Sequence, residues 1–152
     1  MKPTNFPNQP PPFEGHNLFA IDAALQFAVD AYGATWAVAQ LMEWGATLGA
    51  PETYALADAA NRNPPTLRAY DRRGERTDDV AFHPAWDALM RLAMAAGEHC
   101  APWRTPQSGA QVARSAMYYL HARIENGTQG PCTITCASVP VLSRHAADVP
   151  HI

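Results

Sequence analysis

Phe82-His83-Pro84-Ala85-Trp86-Asp87-Ala88-Leu89-Met90-Arg91-Leu92-Ala93-Met94-Ala95-Ala96-Gly97 decides the fold class. Trp86, Leu89, Met90, Ala93, Met94 and Gly97 recur every three or four residues, the period that puts apolar groups on one face of a helix. Pro84 suits a first helical turn because its missing N–H has no intrahelical partner there. His83, just before it, reads as a local cap. His99 adjoins Cys100, but neighbours on a helix point about 100° apart and so make no dyad.

The same periodicity extends in both directions. Upstream, a first helix starts near Ile21 or Asp22, with Ile21, Ala24, Leu25, Ala28 and Tyr32 on one face and Gly33 interrupting it. A second carries Ala37, Leu41, Trp44, Gly45 and Leu48 in one stripe and ends at Gly49. Pro51 opens a third, which runs to about Arg62 and stops at Asn63-Pro64-Pro65. Downstream, Pro102 to Pro106 is a break. Ser108 reads as the N-cap of a fifth helix from about Gly109 to Asn126, with Val112, Ala116, Tyr119, Leu120 and Ile124 inward and Gly127 as its end. His121, between polar neighbours, reads as a semi-exposed edge residue. A last helix starts near Pro131 and runs through Cys132, Thr135, Cys136 and Val139 toward Leu142, with Pro140 a candidate kink.

Leu67 to Val80 differs in texture. Arg68, Arg72, Arg73 and Arg76 balance Asp71, Glu75, Asp78 and Asp79 around a turn at Gly74, so a polar turn or short hairpin near 67–80 is expected. Its arginines read either as a solvated loop or as an anion site, and the solvated loop is favoured. No strand pattern is long enough for a larger sheet. The expected fold is all-α: a bundle of about six helices over 16–152, preceded by a Pro-rich extended arm over 1–15 (Pro3, Pro7, Pro10, Pro11, Pro12).

Composition narrows the function. The chain has 152 residues, 47% hydrophobic and 16% charged, which is one globular domain. A net charge of −3 gives no support to phosphate neutralisation, so nucleic-acid contact is not expected. No apolar run would span a bilayer, and the N-terminus lacks a signal peptide's apolar core. Three cysteines without an export signal read as reduced thiols of a cytoplasmic protein. Cys132 and Cys136 share a helix face, but neither a disulfide nor a metal site is indicated. The four tryptophans read mainly as core packing. No phosphate-binding glycine loop or nucleophile elbow is present, and no catalytic, cofactor-binding or metal residue is assigned.

Three stretches together resemble one family. They are Ala60-Asn61-Arg62-Asn63-Pro64-Pro65 through Tyr70-Asp71, Gly74, Asp78-Asp79-Val80 and Phe82-His83-Pro84-Ala85-Trp86 to Leu89-Met90; Ser108-Gly109-Ala110 through Val112-Ala113-Arg114 to Leu120-His121-Ala122 and Glu125; and Cys132-Thr133-Ile134-Thr135 with Pro140 and Leu142. They resemble the N-terminal helical region of the adaptive-response acyl-CoA dehydrogenases of the AidB type, from Asn17 onward. The resemblance implies an FAD-dependent oxidoreductase in three parts, whose middle β domain and C-terminal helical domain hold the flavin and the catalytic base. This chain lacks both. The resemblance also implies an oligomer, a tetramer in the full-length protein, an acyl thioester ligand and a link to the DNA alkylation response.

In the wider superfamily the last helix of this region lines the acyl pocket. That implies Thr135, Cys136 and Val139 as substrate-binding, against the alternative that they pack on a neighbouring helix. The competing functional readings are a stand-alone helical protein-interaction module and a thiol regulator built on Cys132 and Cys136.

Overall fold

A computed structural model describes residues 8 and 10–145; most of the expected Pro-rich arm and the segment after His145 lie outside them. The described chain is helical apart from one hairpin. The helices are α1 (Ala23–Ala31), α2 (Val38–Gly49), α3 (Pro51–Arg62), α4 (Pro84–Ala96), the single turn α5 (Ala101–Arg104), α6 (Ala110–Ala122) and α7 (Gln129–Arg144). A 3₁₀ turn, Thr35–Ala37, leads into α2. Strands β1 (Thr66–Tyr70) and β2 (Arg76–Ala81) pair antiparallel between α3 and α4, with an irregularity between Arg68 and Tyr70. Six helices of at least nine residues and a polar hairpin match the expected architecture.

The caps follow the local chemistry. Asp22 accepts the Leu25 N–H at 2.9 Å and starts α1. His83 Nδ1 accepts the Ala85 N–H at 3.2 Å and starts α4, with Pro84 in the first turn. Gly97 ends α4 in the left-handed region, φ 83°, which a Cβ would disfavour.

The core gathers Leu18, Phe19, Val29, Leu41, Trp44 and Leu48 from the first half against Ala113, Ala116, Met117 and Leu120 of α6. Several helix faces differ from the expectation. On α1, Ile21 and Tyr32 are 50% and 72% exposed, and Val29 with Leu25 makes the inward contact instead. Met94 on α4 and Tyr119 on α6 are exposed, while Ala85, Leu89 and Ala93, and Met117 and His121, are buried. Apolar spacing fixes the period of a stripe, but its phase depends on what packs opposite. Ser108 does not cap α6 with its side chain. Gly109, at φ 77°, holds that position, and the Ser108 carbonyl accepts the Trp36 indole N–H at 2.9 Å. The segment read as a break at Pro102–Pro106 contains α5, and α6 ends at Ala122 rather than Asn126. Only Trp44 of the four tryptophans is buried; Trp36 and Trp103 are partly exposed and act as hydrogen-bond donors.

The segment before α1 is strapped along α2. The Gly15 N–H donates to the Gly49 carbonyl at 2.8 Å and Leu18 N–H to the Gly45 carbonyl at 3.1 Å. Asn17 Nδ2 donates to the Met42 carbonyl at 2.9 Å. A Cβ on Gly45 would meet Asn17 and Phe19, and one on Gly49 would meet the His16 carbonyl. These glycines are the seat of the strap, a role that the apolar stripe and the helix-end signal did not reveal.

Candidate functional site

The most concentrated polar chemistry lies where α4, α6 and α7 meet. Glu98 follows the Gly97 cap, and its N–H bonds the Ala93 carbonyl at 3.1 Å, which turns the side chain inward. His121 sits in the last turn of α6, one helical turn beyond Met117. His121 Nδ1 lies 2.8 Å from Glu98 Oε2, and its Nε2 lies 3.1 Å from Thr128 Oγ1. Thr128 Oγ1 donates to Glu125 Oε2 at 2.7 Å, and the Thr128 N–H donates to the same oxygen at 2.9 Å. The Gly127 N–H donates to Glu125 Oε1. Glu98, His121, Glu125 and Thr128 are all buried, between 0% and 4% exposed.

The proton count follows from the donors. A threonine hydroxyl has one hydrogen, and here it goes to Glu125. His121 Nε2 must therefore donate to Thr128. At Nδ1 there are two equivalent arrangements: an imidazolium facing a carboxylate, or a neutral ring facing the protonated acid of Glu98. The Trp44 ring meets the imidazole edge-on at 6.0 Å between centroids and closes the apolar side. Glu98 Oε1 and His99 Nδ1 have no hydrogen-bond partner among the described residues.

This network explains why α6 stops at Ala122. The Glu125 carboxylate captures the N–H groups of Gly127 and Thr128, which terminates one helix and leads into α7 at Gln129. His121 was expected at a semi-exposed edge because Arg123 and Glu125 flank it. The signal for the buried placement was its i+4 spacing from Met117, together with Glu125 and Thr128 at i+4 and i+7. The network's hydroxyl, imidazole and carboxylates are shut away from solvent, and its geometry ties three helix ends together.

The last helix carries the proposed pocket residues. Thr135 is exposed and its hydroxyl donates to the Pro131 carbonyl at 2.8 Å. Cys136 is buried, and its carbonyl accepts the Trp103 indole N–H at 2.7 Å. Val139 is half-buried. Pro140 lies inside α7, which continues past it to Arg144. Burial pushes the Cys132 thiol up to about 11, with Glu98 adding to the rise and Arg114 opposing it. A thiol so held is a poor nucleophile at neutral pH, which weighs against a thiol regulator. Cys100, Cys132 and Cys136 are all free and buried.

The described residues border several small cavities. The most enclosed cavity, about 270 Å³, is bordered by Ala96, Gly97, Ala113 and Met117 and is smaller than the roughly 300–1,000 Å³ of drug-sized ligand sites. No group of three or more His, Cys, Asp or Glu residues there could hold a metal, and no helix there is long and apolar enough to cross a membrane.

Comparison with known proteins places this architecture. The chain is 44% identical over 136 residues to AidB of Escherichia coli (strain K12), a protein named as an acyl-CoA dehydrogenase. That alignment takes in 89% of this chain but 25% of the relative, so the chain spans about a quarter of the relative's length. Among solved structures, ACDH-11 of Caenorhabditis elegans, in complex with C11-CoA, superposes with a TM-score of 0.81 over 99% of this chain and 26% of its own, at 18% identity. Bd2924 in its apo form matches with a TM-score of 0.63 and 26% identity over 71% of this chain and 22% of its own. The family model of the adaptive response protein AidB N-terminal domain matches residues 8–151, and the chain belongs to that family.

Proposed function

We propose that this chain is the N-terminal helical domain of an FAD-dependent acyl-CoA dehydrogenase of the AidB type, supplying one wall of an acyl pocket and part of an oligomer interface. The observation that carries this reading is the outer face of α7. Cys132 anchors the helix inward, while Ile134, Val141 and Leu142 are 68%, 59% and 42% exposed. Apolar groups gathered on one helix call for cover by further protein. The remaining β and C-terminal helical domains of the same protein are the natural cover. Those parts would hold the flavin and the catalytic base. Thr135, Cys136 and Val139 are the proposed acyl-facing residues, with Trp103 holding the helix backbone beside them. A tetramer, a cytoplasmic location and a part in the response to alkylated DNA belong to the same proposal.

The test uses the full-length flavoprotein. Purified protein should be yellow, and Cys136→Trp should weaken acyl-ligand binding while flavin content stays. Unchanged ligand affinity in that variant would overturn the pocket assignment; colourless full-length protein would overturn the flavoprotein reading.

A further inference from the structure

The hairpin and the two helices it joins border a second kind of surface, away from the outer face of α7. An open cleft of about 420 Å³ lies between the end of α3, the base of the hairpin and the start of α4, with Arg62, Asn63, Thr66, Arg68 and His83 on its walls. Beside it runs a groove of about 370 Å³ bordered by Ala60, Pro65, Trp86, Gly127 and Pro131. The two meet at Pro64 and Phe82, which line both.

The cleft is rich in donors. No Asp or Glu is among its lining residues. Arg62 Nε is paired with Asp58 at 2.9 Å on the exposed helix surface, which leaves its terminal nitrogens without a partner. Asp79 stands opposite Arg68 in the strand register, yet no ion pair forms between them. The Arg68 guanidinium therefore has no protein acceptor. His83 adds a third donor by necessity: its Nδ1 accepts the Ala85 N–H, so a neutral ring must carry its hydrogen on Nε2.

The groove has the opposite character. Phe82 and Trp86 stack with centroids 4.3 Å apart and planes 29° apart, and Pro64, Pro65 and Pro131 surround them. Its one carboxylate, Glu125, is 4% exposed and already takes the N–H groups of Gly127 and Thr128 and the Thr128 hydroxyl. Its oxygens are turned to these donors and away from solvent.

We infer that the α3–hairpin–α4 corner binds a small aromatic oxyanion, with its phosphate or carboxylate between Arg62, Arg68 and His83 and its ring on the Phe82–Trp86 platform. Guanidiniums are the side chains best matched to planar or tetrahedral oxyanions, and adjacent aromatic rings take a flat apolar body. This site is independent of the flavin and of the acyl pocket on α7.

Phenyl phosphate, benzoate and inorganic phosphate are the probes, followed by nuclear magnetic resonance of the His83 ring, the Trp86 indole N–H and the arginine Nε–H groups. Phenyl phosphate should shift these signals and leave those of Val139, Val141 and Leu142, farther along α7, unmoved. Arg68→Gln should weaken phenyl phosphate and inorganic phosphate alike, by about tenfold. Phe82→Ala should weaken phenyl phosphate several-fold and leave inorganic phosphate unchanged. Arg68 and Phe82 are exposed, so both variants should fold, which circular dichroism would check. Benzoate binding as tightly as phenyl phosphate identifies carboxylates as the ligand source, and weaker binding identifies phosphates. No shift at about 10 mM phenyl phosphate, or binding indifferent to Arg68→Gln, would overturn the inference.

Discussion

His121 Nδ1 lies 2.8 Å from Glu98 Oε2, and neither side chain exposes more than 1% of its surface. Removing one member of a buried, hydrogen-bonded pair strands the other. His121→Leu is therefore expected to destabilise the domain by about 3 kcal/mol in urea denaturation. Glu98→Leu should do likewise, and the double variant should cost clearly less than the sum. Single-variant losses below about 1 kcal/mol would show that the network does not hold the helix ends.

The strap along α2 predicts contrasting glycine effects. Gly49→Ala puts a methyl group against the His16 carbonyl, a backbone atom that cannot step aside, and about 2 kcal/mol of stability should be lost. Gly130, in the first turn of α7, has nothing within 4 Å of an added Cβ. Gly130→Ala should stabilise by about 0.5 kcal/mol through helix propensity alone. Thermal melts of the two variants, moving in opposite directions, would check the assignment.

Cys132 makes stability depend on alkaline pH. Its folded thiol titrates at about 11 against an ordinary value of 9.0. Between those values the unfolded chain releases the proton and the folded chain keeps it, so unfolding is favoured as pH rises. Stability should fall from about pH 9 to about pH 11, and Cys132→Ala should show a shallower fall over the same range. Identical slopes for the two proteins would assign the alkaline loss to other groups.

Trp103 fixes α5 to α7 through its 2.7 Å bond to the Cys136 carbonyl. Trp103→Phe keeps most of the ring and deletes the donor, and about 1 kcal/mol should be lost. Faster amide hydrogen exchange around Val139 and Val141, with α2 unchanged, would locate that loss.

The periodic helices were legible because apolar spacing, Pro51 and Pro84 each carry a local reason, whereas Gly97, read as part of a stripe, is the cap of α4. The family was legible in the run from Asn63-Pro64-Pro65 to Trp86. Features that depend on distant partners were not. The inward face of α1 is set by Leu18 and Phe19 in one cluster with Val29, and the Ser108 carbonyl is held by Trp36, which lies 72 residues away in sequence, while Gly109 takes the cap position. His121 looked peripheral because its neighbours are polar, and its burial against Glu98, in the turn after α4, is not visible in the local sequence. The pocket residues on α7 rest on family likeness, since their pattern also fits packing on a neighbouring helix.

The glycine seam between the strap and α2 sets where this domain can be cut. Residues 10–13 are exposed and in no regular element. Shortened at Phe13, the polypeptide keeps every rung from Gly15 to Leu18. Shortened at Leu18, it would lose the Gly15 and Asn17 rungs and leave bare backbone carbonyls at Gly49 and Met42. Expression boundaries and tags belong upstream of Gly15, because a few residues without a helix of their own close one side of the bundle.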